Sequence, residues 1–409
     1  KGAYIMTNKK IRVLIVDDSL VFVNFLSHEL PKADNRIEIV GYAMNAADAM
    51  RKIPTTKPDV LTLDVEMPKM NGIDFLEELL PRHLLPVILV SSLNVGVFDA
   101  LANGAVDFVK KPDMSRNYSS RTFVQNLAGK INIASNATVK LPRVFHGSSV
   151  IKKGASFAGQ PGSAGSIGAS KVGTSSRPVT APAAGNTLNS GQSPTIRKPM
   201  LAPMTAATPK LTNRSLKLDN LIIALGASTG GTEATLQVLE QLPADIPGMV
   251  ITQHMPEGFT QMYAQRLDRL CKMEVKEASD GDQIKRGRVL IAPGGDKHMK
   301  IVRVGANYAV RIFPADKVNG HRPSVDVLFK SVAQTAVGGA VGIILTGMGQ
   351  DGAYGLLDMK KAGAYTIGQD KESCIVYGMP MVAQNIGAVT VQASCANIPG
   401  ILIKYLNML

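Results

Sequence analysis

The chain has no tryptophan, and all its aromatic residues together make up 5% of 409 positions. A basic face interleaved with aromatic side chains, the mark of many nucleic-acid binders, is therefore absent. There are three cysteines, Cys271, Cys374 and Cys395. They are scattered, odd in number and without metal-ligand spacing, which excludes a disulfide framework or a thiolate metal site and suits a reducing cytoplasm. No apolar run reaches the roughly 18 residues a membrane-spanning helix needs, and the opening KGAYIMTNKK has no apolar signal region, so no direct membrane insertion is expected. Acidic residues are missing from one long stretch. Residues 114–217 hold 14 Lys or Arg and no Asp or Glu, which leaves the rest of a +13 chain at −1. The positive charge thus belongs to a segment and not to a folded surface. With no recognition-helix pattern beside it, no nucleic-acid partner is expected.

An apolar content of 45% supports real cores, and the length predicts two or three domains at ~100–200 residues each. Three regions are expected: a first domain over 6–135, a flexible basic linker over 136–216, and a second domain over 217–409. The linker is rich in Gly, Ser, Ala, Thr and Pro. Such a composition buries too little apolar surface to offset the entropy of ordering.

In the first domain, strands and helices alternate as (βα)5, which predicts a doubly wound parallel sheet. Residues 11–18, IRVLIVDD, end in Asp17 and Asp18. Residues 59–64, DVLTLD, end in Asp64. The fourth strand ends in Ser91-Ser92 and the fifth in Lys110-Lys111-Pro112. Open α/β sheets place their sites at the carboxyl ends of strands. Three converging carboxylates repel and call for a cation, and oxygen ligands with room for water favour Mg²⁺. A nearby lysine and hydroxyl suit a phosphoryl group transferred to an aspartate. Helix capping is the plainer explanation for any one of these acids, but not for the whole series. The pattern resembles the receiver domain of two-component response regulators. That resemblance implies Asp64 as phosphoacceptor, Asp17 and Asp18 holding the metal with Asp64 and the backbone of Glu66, Ser91 and Lys110 on the phosphoryl group, and Phe108 as a switching aromatic.

The second domain is organised around residues 221–232, LIIALGASTGGT, a buried strand running into Gly226-x-Ser228-x-Gly230 and then an amphipathic helix. The spacing is that of a nucleophile elbow, in which a turn lifts a serine hydroxyl toward backbone N–H donors. A P-loop is excluded, since no Gly-Lys-Ser/Thr follows, and GxGxxG is not formed. A serine that merely caps a helix remains open on this evidence alone. Two further buried strands end near His254 and Asp351. Adjacent strand ends would let these reach Ser228 as base and orienting acid. His298, in a hairpin over 298–313, and His321, before Arg322-Pro323, are less well placed as the base. The remaining strands and helices predict another largely parallel α/β sheet.

GASTGGTEA, ITQHMPEGFT, IAPGGDKHM, HRPSVDVLF, LTGMGQDGA and GMP together resemble the catalytic domain of the chemotaxis protein-glutamate methylesterase (CheB) family. The resemblance implies a phosphorylation-activated hydrolase with Ser228, His254 and Asp351 as triad and Thr229 and the Met348 backbone on the oxyanion side. It implies chemoreceptor cytoplasmic domains as substrate, with methanol released from glutamate γ-methyl esters, and deamidation of receptor glutamines. It also implies a chemotaxis histidine kinase as phosphodonor, and no cofactor for the hydrolysis. The competing class is a non-catalytic response regulator whose second domain only binds a partner.

Overall fold

A computed structural model describes residues 9–67, 70–91, 96–112, 117–139, 210–213 and 216–409. Most of the expected linker lies outside the described residues. Its ends are described. Thr138 N–H bonds the Ile375 carbonyl, and the Thr212 and Asn213 N–H groups bond the Asn407 side chain.

The N-terminal part is a (βα)5 body with strands β1 (Ile11–Val16), β2 (Ile37–Ala43), β3 (Val60–Asp64), β4 (Val87–Ser91) and β5 (Asp107–Lys110). Helices α1 (Leu20–Ala33), α2 (Ala46–Thr56), α3 (Gly72–Leu79), α4 (Gly96–Ala102) and α5 (Asn117–Ala134) alternate with them. The strands pair in parallel in the order β2-β1-β3-β4-β5. The two central strands β3 and β4 are buried at every position, as continuous apolar runs with helices on both faces require. Ser19, Asn45 and Asn71 cap the first three helices with their side chains, which satisfies N–H groups that have no partner inside the helix.

The C-terminal part continues with β6 (Ile222–Ala227), α6 (Gly231–Leu239), β7 (Met249–Gln253), α7 (Phe259–Leu270), β8 (Glu274–Glu277), β9 (Gln283–Ile284), β10 (Arg288–Ile291), β11 (Lys297–Val304), β12 (Asn307–Pro314), α8 (Val325–Thr335), β13 (Ala340–Ile344), α9 (Ala353–Lys361), β14 (Tyr365–Gln369), α10 (Met379–Asn385), β15 (Val391–Ala393) and α11 (Ile398–Met408). Seven strands form a parallel sheet in the order β15-β14-β13-β6-β7-β10-β8. A three-stranded antiparallel sheet, β11-β12-β9, contains the hairpin expected from period-two alternation. Chain order reverses around β6, whose neighbours are β13 and β7. That reversal is the switch point at which such sheets open a crevice beyond their carboxyl ends. Among the described residues no helix is long and apolar enough to cross a membrane.

Candidate active site

Ser228 lies half-buried just past the end of β6. The turn that carries it is fixed from three sides. Its N–H bonds the Thr346 carbonyl at 3.0 Å, and its own carbonyl accepts from Gly231 N–H at 2.7 Å and from Gln253 Nε2 at 2.9 Å. The flanking glycines do different work. Gly230 has φ +75°, a left-handed conformation that suits glycine. Gly226 is needed for closeness, because a Cβ there would stand 2.2 Å from Val325 Cγ1 at the start of α8. Ser228 itself is not among the positive-φ residues, so the turn lacks the strained serine of the α/β-hydrolase elbow whose spacing it shares.

His254 follows β7, its N–H bonded to the Ala227 carbonyl. Its Nδ1 is 3.1 Å from Ser228 Oγ, and its Nε2 is 2.8 Å from Asp351 Oδ2. The structure therefore joins three of the residues singled out from sequence in one hydrogen-bonded relay. Asp351 is 1% exposed. Its Oδ1 accepts from Ser324 Oγ and Asn319 Nδ2, both at 2.8 Å, and its Oδ2 accepts from Val325 N–H at 2.7 Å. Burial pushes this carboxyl upward, but His254, Asn319 and Ser324 outweigh it and hold it below the usual carboxylate range. The start of α8 adds the favourable end of a helix dipole. An ionised Asp351 accepts Nε2–H, which leaves the Nδ1 lone pair facing the serine hydroxyl.

Asn319 and His321 carry weight that sequence reading missed. Val318 and His321 exchange backbone hydrogen bonds across Asn319-Gly320, both at positive φ. This is the two-residue turn that Asn-Gly dipeptides favour, and the dipeptide was the available signal. Asn319 Nδ2 bridges the carboxylates of Asp326 and Asp351. The His321 ring lies parallel to that of His254, with centroids 3.7 Å apart and planes 7° apart. His298 is a buried support, its Nδ1 accepting the Ser324 N–H and its Nε2 donating to the Asp316 carbonyl.

Of the two residues expected on the oxyanion side, Thr229 is buried and Met348 is 48% exposed. Gly347 abuts the serine so closely that a Cβ there would stand 2.7 Å from Ser228 Cβ. The Thr229 hydroxyl donates to Asp107 Oδ2 of β5 at 2.5 Å. Asp107 also pairs with Lys130 of α5 at 2.6 Å. Beside this contact Phe108 packs on Phe259, with ring centroids 4.6 Å apart, and Phe98 stacks on Tyr263 at 5.7 Å. The β5 end of the first sheet thus sits against the serine turn.

At the carboxyl ends of β1 and β3, ligand oxygens of Asp17, Asp18 and Asp64 all lie within 4.8 Å of one another. Glu66 N–H bonds Asp64 Oδ1 at 3.1 Å. The lysine at this cluster is Lys111, with Nζ 2.7 Å from Asp64 and 3.0 Å from Asp17. Lys110 does not occupy that place. It is the exposed last residue of β5, paired in register with Ser91, and the alternation of strand side chains turns it away while its neighbour turns in. Burial opposes the Lys111 charge, yet Asp64 and Asp17 raise its affinity for the proton. Burial raises the Asp64 carboxyl, with Lys111 opposing. Ser91 Oγ is fully buried and has no hydrogen-bond partner among the described residues.

Two family models match the chain: "Response regulator receiver domain" over residues 13–119 and "CheB methylesterase" over residues 223–402. A protein-glutamate methylesterase/protein-glutamine glutaminase of Syntrophomonas wolfei is 45% identical over 404 residues, covering 99% of this chain and all of its own. One from Thiobacillus denitrificans is 42% identical over 400 residues and 97% of each chain. The crystal structure of the Thermotoga maritima CheB methylesterase catalytic domain is 37% identical, covers 45% of this chain and 98% of its own, and superposes with a TM-score of 0.44. The class is a hydrolase domain joined to a receiver domain. More narrowly, the chain belongs to the protein-glutamate methylesterase/protein-glutamine glutaminase family of CheB type.

Proposed function

We propose that this chain is a cytoplasmic, phosphorylation-activated serine hydrolase that cleaves glutamate γ-methyl esters on the cytoplasmic helices of chemoreceptors and deamidates receptor glutamines. The observation that carries the reading is the Ser228–His254–Asp351 relay at three neighbouring strand ends. In the first half-reaction Ser228 Oγ attacks the ester carbonyl carbon while its proton passes to His254 Nδ1. Asp351 stays ionised and stabilises the imidazolium through Nε2–H. The oxyanion forms on the side of the Thr229 and Met348 backbone N–H groups. Collapse breaks the C–O bond, and His254 returns the proton to the leaving oxygen, releasing methanol. Water then attacks the acyl-serine with His254 as base, giving the glutamate carboxylate and the free hydroxyl. A glutamine follows the same path with ammonia as leaving group.

The N-terminal body would receive a phosphoryl group at Asp64 from a histidine kinase. The hard oxygen donors of Asp17, Asp18 and Asp64 fit Mg²⁺, held with the Glu66 backbone. When bound, that ion neutralises charge on the phosphoryl group as it moves. Lys111, ion-paired with Asp64, would meet the phosphoryl oxygens there, with the Ser91 hydroxyl as the second candidate for that contact. The Asp107–Thr229 and Phe108–Phe259 contacts support a resting form in which the receiver covers the serine turn. Phosphorylation would shift the population away from it.

Methanol release from methylated chemoreceptor membranes, with and without acetyl phosphate and Mg²⁺, tests both halves. The expected result is release that rises with the phosphodonor and disappears in S228A. Release indifferent to the phosphodonor would keep the esterase and reject the switch. No release from folded wild type would reject the esterase.

A further inference from the structure

We propose that His321 is a positioning residue for the hydrolytic reaction, its ring stacked on His254 as a rigid plate that holds the base in the plane joining Ser228 to Asp351. The proposal rests on the reading of Ser228 as nucleophile. The two hydrogen bonds of His254 leave from the edge of its ring, at Nδ1 and Nε2. They resist rotation within the plane but resist tilting out of it weakly, because hydrogen bonds tolerate moderate bending. A parallel ring with its centroid at 3.7 Å closes one face and opposes that tilt.

The plate is itself held. His321 exchanges two backbone bonds with Val318. The next residue, Arg322, donates to the Gly295 and Ala315 carbonyls at 3.0 and 2.8 Å. The His321 ring nitrogens, by contrast, make no hydrogen bond among the described residues. The fold therefore uses the face of this imidazole and not its polar edge. The charged and titratable groups that act on it are His254 and Asp351 in the relay, Lys317 on its own loop and Lys130 on α5. Burial, then His254 and the two lysines, hold its proton affinity down to about 4, against the pull of Asp351. It stays uncharged while His254 takes the serine proton. The imidazolium then meets a neutral π face, an attractive arrangement, and not a second cation at the same distance.

The test is the rate at which a serine-directed fluorophosphonate labels Ser228 in the full-length chain, with acetyl phosphate and Mg²⁺ present, in wild type, H321A and H321F. A displaced base costs on the order of tenfold to a hundredfold in such steps. H321A should slow labelling by ~10-fold or more, and H321F, which restores a flat uncharged ring, should recover most of the rate. Thermal melts of the two variants accompany the rates. If H321A does not fold, H321L, which fills the space without a flat ring, takes its place. Labelling of H321A or H321L at the wild-type rate would overturn the proposal, and so would an H321F rate as low as that of H321A with equal melting. Wild type that does not label at Ser228 would reject the nucleophile itself, and this inference with it.

Discussion

Asn319 shows how much one side chain can hold. It sits at φ +53° and its amide bonds two buried carboxylates, Asp326 and Asp351. Replacing it with glycine keeps the backbone conformation and removes only the amide. Hydrogen bonds to charged groups are worth about 1.5–3 kcal/mol each. N319G should therefore lower the unfolding free energy obtained from urea titration by an amount of that order and reduce kcat with little change in KM. His321 makes a second prediction, with a definite sign. Its folded proton affinity is about 4 against an ordinary 6.5, so between these values the unfolded chain binds the extra proton. Its contribution to stability is fully present above about pH 6.5 and is lost as pH falls toward 4, by up to roughly 3 kcal/mol. Asp351 behaves at lower pH: its depressed carboxyl stabilises the fold above the ordinary carboxylate range and loses that effect only below it. Urea midpoints measured across this range should slope downward for wild type between about pH 6.5 and 4, and be flatter there for H321F.

The elements explain why glycines flank the serine. Val325 opens α8, its N–H bonds Asp351, and its side chain fills the space a Cβ on Gly226 would need. An added methyl must push the start of α8 away from β6. Overpacking of this kind costs about 1–3 kcal/mol. G226A should thus lower stability and also slow hydrolysis, because the displaced turn carries two donors to Asp351, Ser324 and Val325. A thermal melt together with methanol release at saturating substrate checks both effects. Element type was legible in the sequence wherever apolar runs were long, as in β6, β7 and β13. The two-residue β9 and the four-residue β8 were not expected, since they are too short to show a period and owe their pairing to neighbours distant in sequence.

At the scale of the molecule, the two α/β bodies meet through β5 and the serine turn. Asp107 is held between Thr229 and Lys130. Removing the carboxylate in D107A should raise methanol release in the absence of phosphodonor and narrow the stimulation by acetyl phosphate. K111A should reduce that stimulation by removing the cation beside Asp64, whereas K110A should keep it. Phosphodonor titrations of the full chain measure all three. A D107A chain with unchanged resting activity would show that this contact does not restrain the enzyme.

The amino-acid sequence by itself determined both parallel sheets, the polar residues at their strand ends and the family resemblance, because apolar runs and strand-end motifs are local patterns. Ser228, His254 and Asp351 stood out for that reason. Only the tertiary structure decided which lysine reaches Asp64, since one step along a strand reverses the direction of a side chain, and Lys110 and Lys111 are adjacent. It also decided that His321 faces His254 and that Asn319 joins two carboxylates. Those contacts depend on an Asn-Gly turn folding back over strand ends that lie far from it in sequence, and no local pattern encodes such a distance.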